Sequence, residues 1–358
     1  MTYLGIVLTC RMILFGLSES HHEIPLQRIV DEAREELNST GLSVAVITRD
    51  GKLWQEVSGE LAAGRPMTTD AAFQIGSITK TYTAALTMRL VEDGALKLDD
   101  SIARWFPNLP NAQRITPRQI LNHTSGLNDI FQKEGFTIGL YMNPARKWQI
   151  EDVLQHAGEP DFEPGDGWSY SSTGYLVLAK IAEQQAESSY AELLRREFFT
   201  PMGLRRTYIR GVDTVPEPVA HAYIDINNDG KPEDYSAMLP MTGFLTAFGG
   251  AGAIVATPGD VAIWLRALVR GEVVALDEMD KWVDRTDGNQ HGPGLLKTTI
   301  DGVELIGHRG NSGGFSCAAW HAPQRQLTVV VCCNRNGILV TPAVSRVLNA
   351  FDDSNSPN

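Results

Sequence analysis

The segment GPGLLKTTIDGVELIGHRGNSGGFSCAAWHAPQRQLTVVVCCN, residues 292–334, alternates strand-length apolar runs with the turn signals Asp301-Gly302 and Pro323-Gln324-Arg325. Turns this tight join antiparallel neighbours, so the segment predicts a sheet meander and not parallel strands with helical crossovers. Working outward, Pro342 to Phe351 follows as a helix that can close over the meander, and Thr257 before Pro258 marks the entry to an earlier helix ending at Arg270. At the other end of the chain, apolar residues at 26, 29, 30, 33 and 37 define one face of a helix from Leu26 to Leu37. Strands fit Ser43 to Thr48 and Leu53 to Ser58, joined by the turn Arg49-Asp50-Gly51-Lys52. Ser77 to Asp93 reads as a helix that is apolar on most sides and stopped by Gly94, which places it centrally. Between Lys97 and Gly249 the chain consists of proline-punctuated helical pieces, Ser172 to Glu187 and Tyr190 to Phe199 among them.

The expected fold class is therefore α/β of the α+β type, an antiparallel sheet flanked by helices. Residues 25–96 together with 250–352 supply the sheet domain, and 97–249 form an inserted, mainly helical subdomain. Residues 1–24 read as a leader or an apolar tail, and 353–358 as a tail.

With 43% hydrophobic and 21% charged residues, the chain has the composition of a globular protein and not of a disordered one. A net charge of -12 with no basic run argues against nucleic acid, which is held mainly by clustered positive charge. Cys10, Cys317, Cys332 and Cys333 lack the spacing of a disulfide framework, a zinc site or a redox pair. Cys332 and Cys333, adjacent on a strand, point to opposite faces as small apolar filler. The apolar N-terminus lacks an early positive charge, is interrupted by Arg11 and gives no firm membrane span. Read as a leader it implies a periplasmic or secreted protein; read as a tail it leaves a cytoplasmic one. Asp225-Ile226-Asn227-Asn228-Asp229-Gly230 has the first half of an EF-hand loop, but Ser236 stands where the bidentate glutamate belongs, so the segment is expected to be an exposed Asp-Gly turn.

Three motifs carry chemistry. In FQIGSITKTYTAAL, Ser77 and Lys80 lie one helical turn apart, so the amine can reach the hydroxyl while first-turn N–H groups lie beside it. A hydroxyl is a poor nucleophile until a base takes its proton, and a desolvated lysine can be that base. Taken alone, the pair reads first as a helix start with an exposed lysine. Tyr170-Ser171-Ser172 sits at a loop-to-helix junction, where a tyrosine hydroxyl can relay a proton into a cleft. His308-Arg309-Gly310-Asn311 ends a strand, with Gly310 allowing close approach and the N–H of Asn311 able to meet a developing oxyanion together with that of Ser77. The Gly-x-Ser-x-Gly pattern at Gly310 to Gly314 offers Ser312 as a rival nucleophile, but no acid followed by histidine comes after it.

In this order the three motifs resemble the serine β-lactamase and penicillin-binding superfamily, in its class C β-lactamase and D-alanyl-D-alanine carboxypeptidase branch. ILNHTSGL (120–127), PGDGWSYSSTGYLVLAKIAE, FFTPMGL (198–204), GGAGAIVATPGDVAIWLRAL and GHRGNSGGF resemble that branch's landmarks across nearly the whole chain. The resemblance implies a β-lactamase/transpeptidase-like fold and a serine hydrolase with Ser77 acylated by substrate. It further implies that Lys80 and Tyr170 share proton transfer, that His308 stands where many relatives carry lysine, that the backbone amides of Ser77 and Asn311 bind the oxyanion, and that water completes turnover. Neither a metal nor an organic cofactor is implied. The expected substrates are D-amino-acid peptides, amides, esters or β-lactams. Two departures favour a D-stereospecific peptidase, an amidase or a small-ester hydrolase over a class C-like β-lactamase or a penicillin-binding module with little turnover. Ser172 replaces the usual asparagine and shortens the side chain beside the substrate amide. Arg309 replaces the usual threonine; facing the cleft, it and Lys297 on the preceding strand would favour a substrate carboxylate, whereas Arg309 pointing outward would not. Gly310 completes the substrate-binding set, and Trp148, Trp168, Phe244 and Phe248 are candidates to line the acyl pocket.

Overall fold

A nine-stranded antiparallel sheet joins strands from the two ends of the chain side by side. The computed structural model describes residues 26–351 apart from 239–241, 280–281 and 285–288, so the leader or tail at 1–24 and the tail at 353–358 lie outside the described residues. In chain order the strands are β1 (Gly41–Ile47), β2 (Leu53–Ala62), β3 (Arg65–Pro66), β4 (Val283–Asp284), β5 (Gln290–His291), β6 (Leu296–Ile300), β7 (Val303–Ser312), β8 (Phe315–Ala322) and β9 (Leu327–Cys333). Across the sheet they run β3-β2-β1-β9-β8-β7-β6-β5-β4. The expected meander is present from β6 to β9, and the seam between chain ends pairs Val44 of β1 with Val331 of β9.

Both faces of this sheet are covered, which explains why β1 and β9 are buried along their whole length and read as continuous apolar runs. On one face, Val44, Val331 and Cys333 pack with Val30 of α1 (Leu26–Glu36) and with Val344 and Val347 near the C-terminus. On the other, Ala45, Val330 and Cys332 belong to the large core that also holds Leu86 of α2 (Thr79–Glu92). Cys332 and Cys333 thus belong to opposite faces, as the period of two along a strand requires. Residues 97–249 hold α3 (Ser172–Ala186) and several shorter helices, together with the strand Thr207–Ile209, which pairs with Ile254–Ala256. The core of the second face continues into α4 (Thr242–Gly252) and α5 (Pro258–Val269), and α6 (Thr341–Ala350) closes the first. Among the described residues no helix is long and apolar enough to cross a membrane.

α2 is buried on nearly every side, and its threonines find partners inside the protein. Thr83 donates to the Gly250 carbonyl at 2.6 Å, Thr87 donates to the Thr83 carbonyl at 2.8 Å, and the Trp264 indole donates to Thr81 at 2.8 Å. The helix starts later than the sequence suggested. Ser77 lies in a 3₁₀ turn, Gly76–Ile78, that precedes it, because Gly76 takes a φ of 52° and bends the entering chain sharply.

Candidate active site

The Ser77 turn and the end of β7 press together backbone to backbone. A Cβ added at Gly310 would lie 1.8 Å from the Ile75 carbonyl oxygen and 3.3 Å from the Ser77 amide nitrogen, and one at Gly76 would lie 2.9 Å from the Asn311 amide nitrogen. Only glycine fits either position, and Ser77 and Asn311 line the same cleft.

Lys80 is 0% exposed, and its amine meets three oxygens: Ser77 Oγ at 3.1 Å, Ser172 Oγ at 3.3 Å and the Ala251 carbonyl at 3.1 Å. Burial lowers its pKa to about 7, against the opposing pull of the Asp129 carboxylate. The amine also lies 4.8 Å from the centre of the Tyr170 ring. The Tyr170 hydroxyl is itself buried without a well-formed hydrogen bond. Burial raises the pKa of this phenol far above its ordinary value, whereas the neighbouring Ser77 hydroxyl and the Arg309 charge favour the phenolate. His308 is buried, and its Nδ1 lies 2.6 Å from the Arg309 carbonyl oxygen. A carbonyl only accepts, so Nδ1 carries the proton and Nε2 is left as an acceptor. Burial, and then the charge of Lys80, push the His308 pKa down to about 3, so this imidazole is neutral at physiological pH.

These groups line one cleft of about 480 Å³, in which Ser77, Tyr170, Ser172, His308, Gly310 and Asn311 meet. Its apolar lining includes Phe131 and Phe248, stacked 4.3 Å apart, and also Trp168 and Leu296. Of the aromatic candidates, Trp168 and Phe248 face the cleft, Trp148 is buried in the core, and the Phe244 side chain lies outside the described residues. Arg309 and His308 occupy opposite faces of β7: His308 pairs with Ala319 on the α2 face, and Arg309 with Ala318 on the other. Arg309 is exposed and still lines the cleft, just beyond Gly307, where the pairing of β6 with β7 stops. Lys297 is not part of this arrangement. Its ammonium sits 3.9 Å over the Trp282 ring and the residue borders a separate polar depression, so Lys297 does not supply the expected carboxylate contact in the cleft. Ser312, the rival nucleophile, is buried.

A family model described as Beta-lactamase matches residues 26–348. The chain belongs to the beta-lactamase family. Penicillin-binding protein 4 of Amycolatopsis lactamdurans is 31% identical over 316 residues, covering 80% of this chain and 79% of that protein. Esterase EstB of Burkholderia gladioli is 29% identical over 238 residues, which cover 61% of this chain and 58% of the esterase, so the chain spans little more than half of that relative. Among solved structures, the D-amino acid amidase from Ochrobactrum anthropi SV3 complexed with L-phenylalanine superposes with a TM-score of 0.82 at 28% identity, covering 92% of this chain and 98% of the amidase. The β-lactamase/transpeptidase-like fold expected from the sequence is the one observed.

Two residues of this beta-lactamase-family cleft escaped the sequence reading. Asp129 is buried, lines the cleft and accepts a hydrogen bond from Ser172 at 3.2 Å. Its signal was available: it follows the quoted ILNHTSGL run and caps the turn Ile130–Gln132 through its bond from the Phe131 N–H. His291, on β5, is buried against Trp168 and Tyr170, and no spacing in the sequence singles it out. His123 serves the turn beside the cleft: its Nδ1 accepts the Ser171 N–H at 3.1 Å and its carbonyl the Ser169 N–H at 3.1 Å, which fixes the loop that carries Tyr170.

Proposed function

We propose that this serine hydrolase of the beta-lactamase family cleaves small D-configured amides and peptides, with small esters as further substrates, through an acyl-enzyme on Ser77. The observation that carries the reading is the fully buried Lys80 amine, 3.1 Å from the Ser77 hydroxyl and lowered to a pKa of about 7. An amine in that state accepts the Ser77 proton as Oγ attacks the substrate carbonyl. The backbone N–H groups of Ser77 and Asn311 receive the oxyanion, and Tyr170 hands the proton on to the leaving amine. Water then attacks the ester on Ser77 and releases the acid. His308, neutral and with Nε2 free to accept, suits a substrate N–H better than a substrate carboxylate. The apolar lining contributed by Phe131, Phe248, Trp168 and Leu296 suits an apolar side chain on the acyl residue. Similarity to a D-amino acid amidase over 92% of the chain supports the D configuration and the amide bond.

The test compares D- and L-phenylalanine amide, p-nitrophenyl acetate and nitrocefin on the wild type and on Ser77→Ala. The D-amide is expected to be cleaved faster than its enantiomer, with nitrocefin turned over slowest. Ser77→Ala is expected to reduce every rate to background while leaving thermal unfolding nearly unchanged. Turnover by Ser77→Ala above a few per cent of wild type, or a preference for the L-amide, contradicts the proposal.

A further inference from the structure

The hydrogen bonds around Lys80 have a direction that its immediate partners do not set. A neutral amine has two N–H groups and one lone pair. The Ala251 carbonyl, at 3.1 Å, accepts one N–H. Ser172 Oγ, at 3.3 Å, can accept the second or can instead donate its own proton to the lone pair. Behind Ser172 lies the Asp129 carboxylate, with Oδ2 3.2 Å from the serine oxygen and Oδ1 occupied by the Phe131 N–H at 3.1 Å. Burial raises the pKa of the Asp129 carboxyl, opposed by the Lys80 charge and by the hydrogen bonds from Phe131 and Ser172. In its ionised form the carboxylate only accepts, so the single Ser172 proton turns toward Asp129 and the serine presents a lone pair to Lys80. Both N–H groups of the neutral lysine are then occupied, and its own lone pair is left for the remaining neighbour, the Ser77 hydroxyl.

We infer that Asp129 is a positioning residue for acylation: acting through the Ser172 hydroxyl, it directs the basic lone pair of Lys80 at Ser77. The inference rests on the proposed acyl transfer at Ser77. Without Asp129 the Ser172 proton is free to occupy the Lys80 lone pair and compete with the nucleophile. A second, through-space effect accompanies the first, because the Asp129 charge stabilises the protonated lysine. The other groups around the amine are the Tyr170 and Tyr175 rings, the Ala251 carbonyl and His308, which feels the charge of Lys80; Arg309 acts on Tyr170 and His308. None of these offers a second anion.

Asp129→Asn, Ser172→Ala and the double variant separate the two effects, read as pH profiles of kcat/KM on p-nitrophenyl acetate. Asparagine caps a helical turn as well as aspartate does, so the Ile130–Gln132 turn is kept. Asp129→Asn is expected to lower the high-pH plateau about tenfold, the size of one directed hydrogen bond, and to move the acid limb to lower pH. Ser172→Ala is expected to lower the plateau by a similar factor, and Ser172→Thr, which keeps the hydroxyl, to restore most of it. In the Ser172→Ala background, Asp129→Asn is expected to shift the limb again without further loss of plateau. An unchanged plateau in either single variant overturns the inference, as do losses that multiply in the double variant. Fluorophosphonate labelling of Ser77 in the same variants keeps the two hypotheses apart: labelling with an unchanged plateau defeats only the role of Asp129, whereas absence of labelling in the wild type defeats acyl transfer itself.

Discussion

Ser77-x-x-Lys80 and Asp225-x-Asn227-x-Asp229-Gly230 are short patterns of similar length and similar weight in the sequence, and the fold treats them in opposite ways. Lys80 is sealed in the core, and every oxygen it meets belongs to the site or to a distant segment, Ser172 and the Ala251 carbonyl among them. The carboxylate of Asp225 is satisfied locally: its two oxygens accept the N–H groups of Asp229 and Gly230, while Asn227 accepts from Asp229 and Asp229 from Lys231. The first pattern gathers long-range partners and becomes reactive; the second consumes its own acceptors and becomes a turn. Desolvation distinguishes them physically. It brings the Lys80 pKa down to about 7, whereas residues 226–230 remain exposed.

Gly310→Ala gives the largest effect on this contrast. The new methyl would meet the Ile75 carbonyl at 1.8 Å and force the Ser77 turn away from β7. A misplacement on the order of 1 Å is expected to lower kcat by about a hundredfold, read by steady-state hydrolysis of p-nitrophenyl acetate. Near-normal kcat would show that the close approach is not what positions the nucleophile. Arg309→Ala gives a smaller effect, since the guanidinium sits at an exposed rim. Substrates with a free carboxylate are expected to lose about threefold to tenfold in kcat/KM, and neutral esters little. Equal losses on both would show that the side chain does not engage carboxylates. Asp225→Ala gives the smallest effect: hydrolysis is expected to be unchanged and thermal stability to fall by about 1 kcal/mol or less. Heat release on titrating the wild type with micromolar calcium would contradict this, because it would make the loop a binding site after all.

Much of this architecture was legible because it follows from short-range rules. The meander was announced by its turns, the hairpin of β1 and β2 by Asp50-Gly51, and the central place of α2 by its apolar circumference. What escaped depends on the meeting of distant segments. Strand alternation separates His308 from Arg309, but only the pairing of His308 with Ala319 and Arg309 with Ala318 decides which side chain joins the α2 face. Lys297 was expected at the cleft because it precedes the motif strand, yet the pairing of β6 with β7 ends at Leu296 and Gly307, and the lysine lies over Trp282. Asp129 and the Ala251 carbonyl reach Lys80 from 49 and 171 positions away in the chain, and a backbone carbonyl leaves no trace in residue identity.

Acyl transfer at this site depends most on an accessible Ser77 activated by a lysine that loses its proton near neutrality. Its most direct test is the rate of fluorophosphonate labelling from about pH 5 to about pH 9, with the modified peptide identified by mass spectrometry. Lys80 acts as a base only when neutral, so the rate should rise with pH through about 7 and level off above it, with the adduct on Ser77 alone. An adduct on another residue, or a Ser77 labelling rate that does not change across that range, would contradict it.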